Sequence, residues 1–140
     1  MTESNLFLNL FRHRERAAFA AGQTVIETGG KGDTMYVVFE GEVEIRTGDN
    51  ELEVGGPGTI FGEMALIDDG PRSATVVAKT DCQMVPIDRR RFEFMVQETP
   101  FFALAVMRIM ADRLRRVNTR VASASGRTAS QESSLTSSGQ

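Results

Sequence analysis

The sequence predicts a mainly β protein: an all-β sandwich or roll of short strands, with α-helices at its C-terminal end. Three observations lead there. Between Ala17 and Asp88, short runs of β-branched and aromatic residues alternate with turn residues, as strands and their connections do. Nine of the thirteen glycines lie between Gly22 and Gly58, where closely spaced turns would need them. After Asp88 the spacing of apolar residues turns helical.

Taken in order, residues 1–16 form a short helical segment with weak periodicity at Leu6 and Leu10, joined by Phe7 and Phe11. Strand-like runs follow at Thr24–Glu27, Met35–Phe39, Val43–Ile45 and Leu52–Val54. They are separated by the turns Gly29-Gly30-Lys31-Gly32-Asp33, Glu40-Gly41, Gly48-Asp49-Asn50 and Gly55-Gly56-Pro57-Gly58. A further strand begins at Ser73, and Cys82 and Met84 sit as core residues in the strand before Asp88. Arg89–Glu98 reads as a short helix with Phe92, Met95 and Val96 on one side. Thr99-Pro100 then supplies a cap and a first-turn proline. The next helix carries an apolar stripe at Met107, Met110, Leu114, Val117 and Val121. The expected organisation is a roll over 17–88 and helices over 89–121, forming one domain, followed by a disordered Ser-rich tail over 122–140.

Composition excludes several function classes. A net charge of −3 argues against a general nucleic-acid binder, which needs a basic surface to displace counterions. One Cys permits no internal disulfide, and one His with one Cys makes a poor zinc site. The run Leu6–Phe11 precedes its cationic cluster Arg12-His13-Arg14, the reverse of a signal peptide. The longest apolar run, Phe101–Met107, is too short to span a membrane. A cytoplasmic protein is expected.

The stretch Phe61–Val76 carries the chemistry. Gly62 follows a β run and opens a helix-compatible turn, where backbone can approach a ligand and the first N–H groups are unpaired. Asp68-Asp69-Gly70-Pro71 is a turn that would fold Arg72 back toward it. Arg72 offers forked donors to phosphate oxygens, reinforced by the Ser73 hydroxyl. Glu63 would repel phosphate, so a sugar hydroxyl is its sensible partner. An acceptor for ribose a few residues from donors for phosphate describes a nucleotide site. On chemistry alone, a surface salt bridge between Glu63 and Arg72 explains the same residues equally well.

The segments Phe61-Gly62-Glu63-x-Ala65-Leu66 and Pro71-Arg72-x-Ala74-Thr75 resemble the phosphate-binding cassette of the cyclic-nucleotide-binding family. Upstream, Gly32-Asp33-x-Met35-Tyr36-Val37-Val38 and Gly41-Glu42-Val43 look like that family's central β-hairpin. The resemblance covers roughly Ala17 to Val121 and implies a jelly-roll-like β-roll of about eight strands, with a short cassette helix and C-terminal α-helices. It implies that Glu63 accepts from the ribose 2′-hydroxyl and that Arg72 neutralises the cyclic phosphate. It further implies a cradle from the backbones of Gly62, Met64, Ala65 and Ala74 with the Ser73 hydroxyl. The implied ligand is cAMP or cGMP. Ser73 is compatible with either base, and cAMP is the expectation.

The same resemblance implies that the helix from Pro100 closes over the pocket and caps the base, with Arg113 the first candidate and Asn118 the second. On residues alone, most arginines of that helix are a solvated face. Its apolar stripe fits the chain's own roll or a second copy equally, so a homodimer through this helix stays open. Nothing after it resembles a DNA-reading helix-turn-helix, and nucleic acid is not an expected partner. The expectation is therefore a non-catalytic sensor with no catalytic residue, metal or cofactor, acting on an unknown protein effector. A degenerate fold used only for protein contact is the alternative. A cupin-like enzyme, which would need several metal-binding His, is a more distant one.

Overall fold

The computed structural model describes residues 2–47, 51–68 and 70–116, with the side chain of Glu51 left aside. Its described elements are, in order, α1 (Glu3–Phe11), β1 (Ala17–Phe19), β2 (Thr24–Ile26), β3 (Thr34–Glu40), β4 (Val43–Thr47) and β5 (Glu51–Gly55). Then come β6 (Ile60–Phe61), α2 (Glu63–Asp68), β7 (Thr75–Ala78), β8 (Cys82–Asp88) and α3 (Arg89–Glu98). A last helix, α4 (Pro100–Arg116), follows a break at Thr99.

The strands form two four-stranded sheets, ordered β1-β8-β3-β6 and β2-β7-β4-β5, and every pairing is antiparallel. This is the mainly β roll with C-terminal helices that the alternating runs predict. Strand side chains alternate between two faces, so each sheet turns one set inward. Ile26, Val38, Val43, Ile45, Phe61, Val76, Ala78, Cys82 and Met84 are buried together as the core. Cys82 and Met84 therefore sit where the sequence puts them.

Three local expectations are corrected. The segments around Val37 and Val43 do not form a hairpin with each other: β3 and β4 lie in different sheets. Gly41 makes the crossing, at φ +88°, where any Cβ would lie 2.3 Å from the Asp81 carbonyl oxygen. The strand expected from Ser73 begins instead at Thr75, because the Arg72 backbone is held elsewhere and Ser73 is exposed. In α1 the buried residues are Phe7 and Phe11, with Leu6 and Leu10 only partly covered.

The reason for that last shift is an aromatic cluster. Phe102 packs edge-on against Phe7, Phe11 and Phe92, with ring centroids 6.0, 5.7 and 5.8 Å away. It joins α1, α3 and the start of α4 under one buried patch. The described residues fall into two units that divide after Val106. In α4 the buried residues are Phe102, Ala105 and Val106, whereas Met107 and Leu114 of the expected stripe are exposed. Val117, Val121 and the tail over 122–140 lie outside the described residues.

Candidate ligand-binding site

The site begins at Gly62, the single residue between β6 and α2. It adopts φ +86°, and a Cβ there would lie 2.9 Å from Nη1 of Arg72 and 3.0 Å from the Thr34 carbonyl oxygen. Both the backbone angle and the close approach require glycine. The chain then enters α2 at Glu63, so an acidic side chain occupies the first turn, where the helix dipole favours it. Glu63, Ala65 and Leu66 are buried, and Met64 is half-buried.

Arg72 comes back to this turn, as the Asp-Gly-Pro chemistry predicts. The Gly70 N–H donates to Oδ1 of Asp68 at 2.9 Å, a side-chain-stabilised turn just after α2. Arg72 Nη1 then donates to the Gly62 carbonyl oxygen at 3.0 Å. The Arg72 backbone is fixed from the loop between β2 and β3: its N–H donates to Gly30 O at 2.8 Å, and its carbonyl accepts from Gly29 N at 2.9 Å. Its guanidinium lies across Gly32, where a Cβ would stand only 2.3 Å from Nη2.

Glu63 and Arg72 are 3% and 7% exposed, so a surface salt bridge does not describe them. Two charged side chains withdrawn from water at adjacent points need a purpose that outweighs their desolvation. Ala74 is buried beside them in sequence, and Ser73 is exposed. Behind them, the Thr75 hydroxyl accepts from the Thr28 N–H at 3.0 Å and shares a 2.8 Å hydrogen bond with the Thr28 hydroxyl, pinning the start of β7.

The structure thus gathers Gly62 and Arg72 directly, with Glu63, Met64 and Ala65 on the adjoining helix and Ser73 and Ala74 on the adjoining strand entry. Arg113 is half-buried on α4 in the second unit, and Asn118 lies outside the described residues. Sequence reasoning missed Gly29, Gly30 and Gly32, which read there only as turn residues. It also missed Arg89, whose Nη1 and Nη2 donate to the carbonyl oxygens of Leu66 at 2.9 Å and Ala65 at 3.2 Å.

Comparison with known proteins decides the family. The model of the cyclic nucleotide-binding domain matches residues 16–99, more than half of the chain. The chain belongs to the cyclic nucleotide-binding domain family. The CRP-like cAMP-activated global transcriptional regulator of Mycobacterium tuberculosis is 31% identical over 125 residues, spanning 86% of this chain and 56% of that protein. A cAMP-dependent protein kinase regulatory subunit of Eremothecium gossypii is 40% identical over 78 residues, 56% of this chain and 17% of that one. Among solved structures, the catabolite activator protein of Thermus thermophilus superposes with a TM-score of 0.70 at 29% identity, over 85% of this chain and 57% of its own. The chain therefore spans little more than half the length of these bacterial regulators.

Among the described residues, no single helix is long and apolar enough to cross a membrane. Nor does any group of three or more His, Cys, Asp and Glu among them stand where it could hold a metal ion.

Proposed function

We propose that this cyclic nucleotide-binding domain is a non-catalytic sensor that takes cAMP at Gly62–Ala65 and Arg72–Ala74. The observation that carries this reading is the buried Arg72 guanidinium, lodged between Gly32 and the Gly62 carbonyl. A buried, planar fork of donors beside an acceptor carboxylate suits an anionic ring phosphate next to a ribose hydroxyl. In this reading Arg72 neutralises the phosphate and Glu63 accepts from the 2′-hydroxyl. Backbone groups of Gly62, Met64, Ala65 and Ala74, with the Ser73 hydroxyl, complete the cradle. Two relatives are named for cAMP, which supports that ligand ahead of cGMP.

Binding changes the arrangement of the C-terminal helices, with Arg113 or Asn118 capping the base, and passes the signal to a protein effector. The cupin-like alternative lacks support, since it needs a cluster of metal ligands. Titration calorimetry with cAMP and cGMP is the test, supported by melting curves. A native-state ligand at a hundredfold excess over its Kd adds about 2.7 kcal/mol of stability. If neither nucleotide releases heat or raises Tm at millimolar concentration, the fold serves protein contact only and the sensor reading is wrong.

A further inference from the structure

Strand β5 has its polarity inverted for a strand that covers a core. Its apolar residues Leu52 and Val54 are 43% and 47% exposed, while Glu53 between them is half-buried. The register places all three. Leu52 and Val54 stand opposite Arg46 and Glu44, whereas Glu53 stands opposite Ile45, which is buried in the core. Directly opposed residues of an antiparallel pair share a face, so Glu53 belongs to the inner face of the roll. Ile45 is paired in turn with Val76, and Val76 with Ile26. A row of three buried aliphatic residues thus runs across the sheet and ends, on its edge strand, in a carboxylate.

A carboxylate on an inner face carries a desolvation cost that an apolar residue would not. An inward charge can serve to keep an edge strand from pairing with another chain. The surroundings of Glu53 point to a further use. Val76 lies two residues beyond Ala74, and Phe61, the residue before Gly62, is buried in the same cluster as Ile45. With strands about 4.8 Å apart and about 3.3 Å of rise per residue, Glu53 stands roughly 12 Å from Ala74 across the inner face. A purine extending inward from a ring phosphate at Arg72, and a glutamate side chain reaching toward it, together cover that distance. We propose that Glu53 reads the base of the bound nucleotide, accepting from the exocyclic amino group of its purine. This rests on the nucleotide-binding reading and assigns that site its base selectivity. A carboxylate only accepts, so it favours a ring edge with N–H donors over one with acceptors alone. Adenine offers its 6-amino group, and guanine offers its 2-amino group beside N1–H. Glu53 therefore selects aminopurines against purines that lack the group.

The experiment uses the full chain as parent, Glu53→Ala and Glu53→Gln. Calorimetry compares cAMP with purine riboside 3′,5′-cyclic monophosphate, which lacks only the 6-amino group. The parent is expected to bind cAMP about tenfold more tightly than that analogue, the scale of one hydrogen bond to a charged group. Glu53→Ala binds the two alike, having lost affinity for cAMP and not for the analogue. Glu53→Gln keeps one acceptor oxygen and part of the preference, and it carries the comparison should Glu53→Ala fail to fold. A parent that binds cAMP and the analogue equally overturns the proposal. So does a Glu53→Ala protein that keeps the parent's preference. In both cases the carboxylate only guards the edge strand, and the nucleotide reading stands. A parent that binds cGMP alone is compared with inosine 3′,5′-cyclic monophosphate, which lacks the 2-amino group. A preference for cGMP that Glu53→Ala abolishes then supports the same role, and one that it keeps overturns it. A parent that binds neither cAMP nor cGMP removes the nucleotide reading, and the role of Glu53 with it.

Discussion

Replacing Gly32 by alanine perturbs the proposed phosphate site without touching the backbone that forms it. Gly32 does not use the left-handed region, so alanine carries no conformational penalty there. The added Cβ would stand 2.3 Å from Nη2, 2.5 Å from Cζ and 2.5 Å from Nε of Arg72. Ordinary contacts lie at about 3.5–4.0 Å, so the guanidinium must retreat by roughly an ångström or more. Its 3.0 Å hydrogen bond to Gly62 does not survive such a move, nor does its aim into the cassette. Each charge-assisted bond lost is worth about 1.5–3 kcal/mol, which predicts cAMP affinity lower by about 10- to 150-fold. The clash is with the far end of a flexible side chain, so Tm should change little. Calorimetry on Gly32→Ala, Arg72→Ala and the double variant reads the effect. Because Gly32 acts through Arg72, the double variant should bind no worse than Arg72→Ala alone. Gly56→Ala, with nothing within 4 Å of its added Cβ, is the neutral control. Unchanged affinity in Gly32→Ala, or additive losses in the double variant, would refute the account.

Other outcomes follow from the same geometry. Arg72→Ala should remove most cAMP affinity, and Arg72→Lys should restore only part, since an ammonium lacks the planar fork; calorimetry compares the three. Phe102→Ala removes the ring shared by α1, α3 and α4 and should cost about 3–5 kcal/mol in denaturant unfolding. Burial pushes the Cys82 thiol above its ordinary pKa, against weaker opposing hydrogen bonds from Thr80. At pH 8 the native protein should therefore react with iodoacetamide far more slowly than the unfolded chain, as mass spectrometry would show. The sign for stability follows: the folded state holds this proton to higher pH than the unfolded state, so the contribution is intact below the unfolded pKa. It is lost as pH rises through the folded value, and Tm measured upward from pH 8 should fall.

Much of this protein was legible in its residues because the signals are local. Alternating β-branched runs with glycines between them depend on the two-residue period of a strand, and so the roll could be read. Arg89–Glu98 has helical spacing and Thr99-Pro100 after it is capping chemistry, and α3 has those bounds. Gly62, Glu63 and Arg72 could be picked out because the segments around them resemble a known cassette; their chemistry alone left a salt bridge equally open. What the sequence left undecided is contact between residues far apart in the chain. Leu6 and Phe7 are neighbours, and only the position of Phe102 decides which of them is buried. The family resemblance makes a hairpin of β3 and β4, yet the backbone at Gly41 sends them to different sheets. Gly32 looked like one more turn residue until the Arg72 guanidinium, forty positions on, was found lying across it. Arg89 carries no signal of its own in the sequence, and only the fold sets it against the Leu66 and Ala65 carbonyls of α2. Periodicity and propensity are properties of a dozen neighbouring residues, whereas a fork on a distant carbonyl or a missing Cβ beneath a guanidinium exists only once the chain has closed on itself.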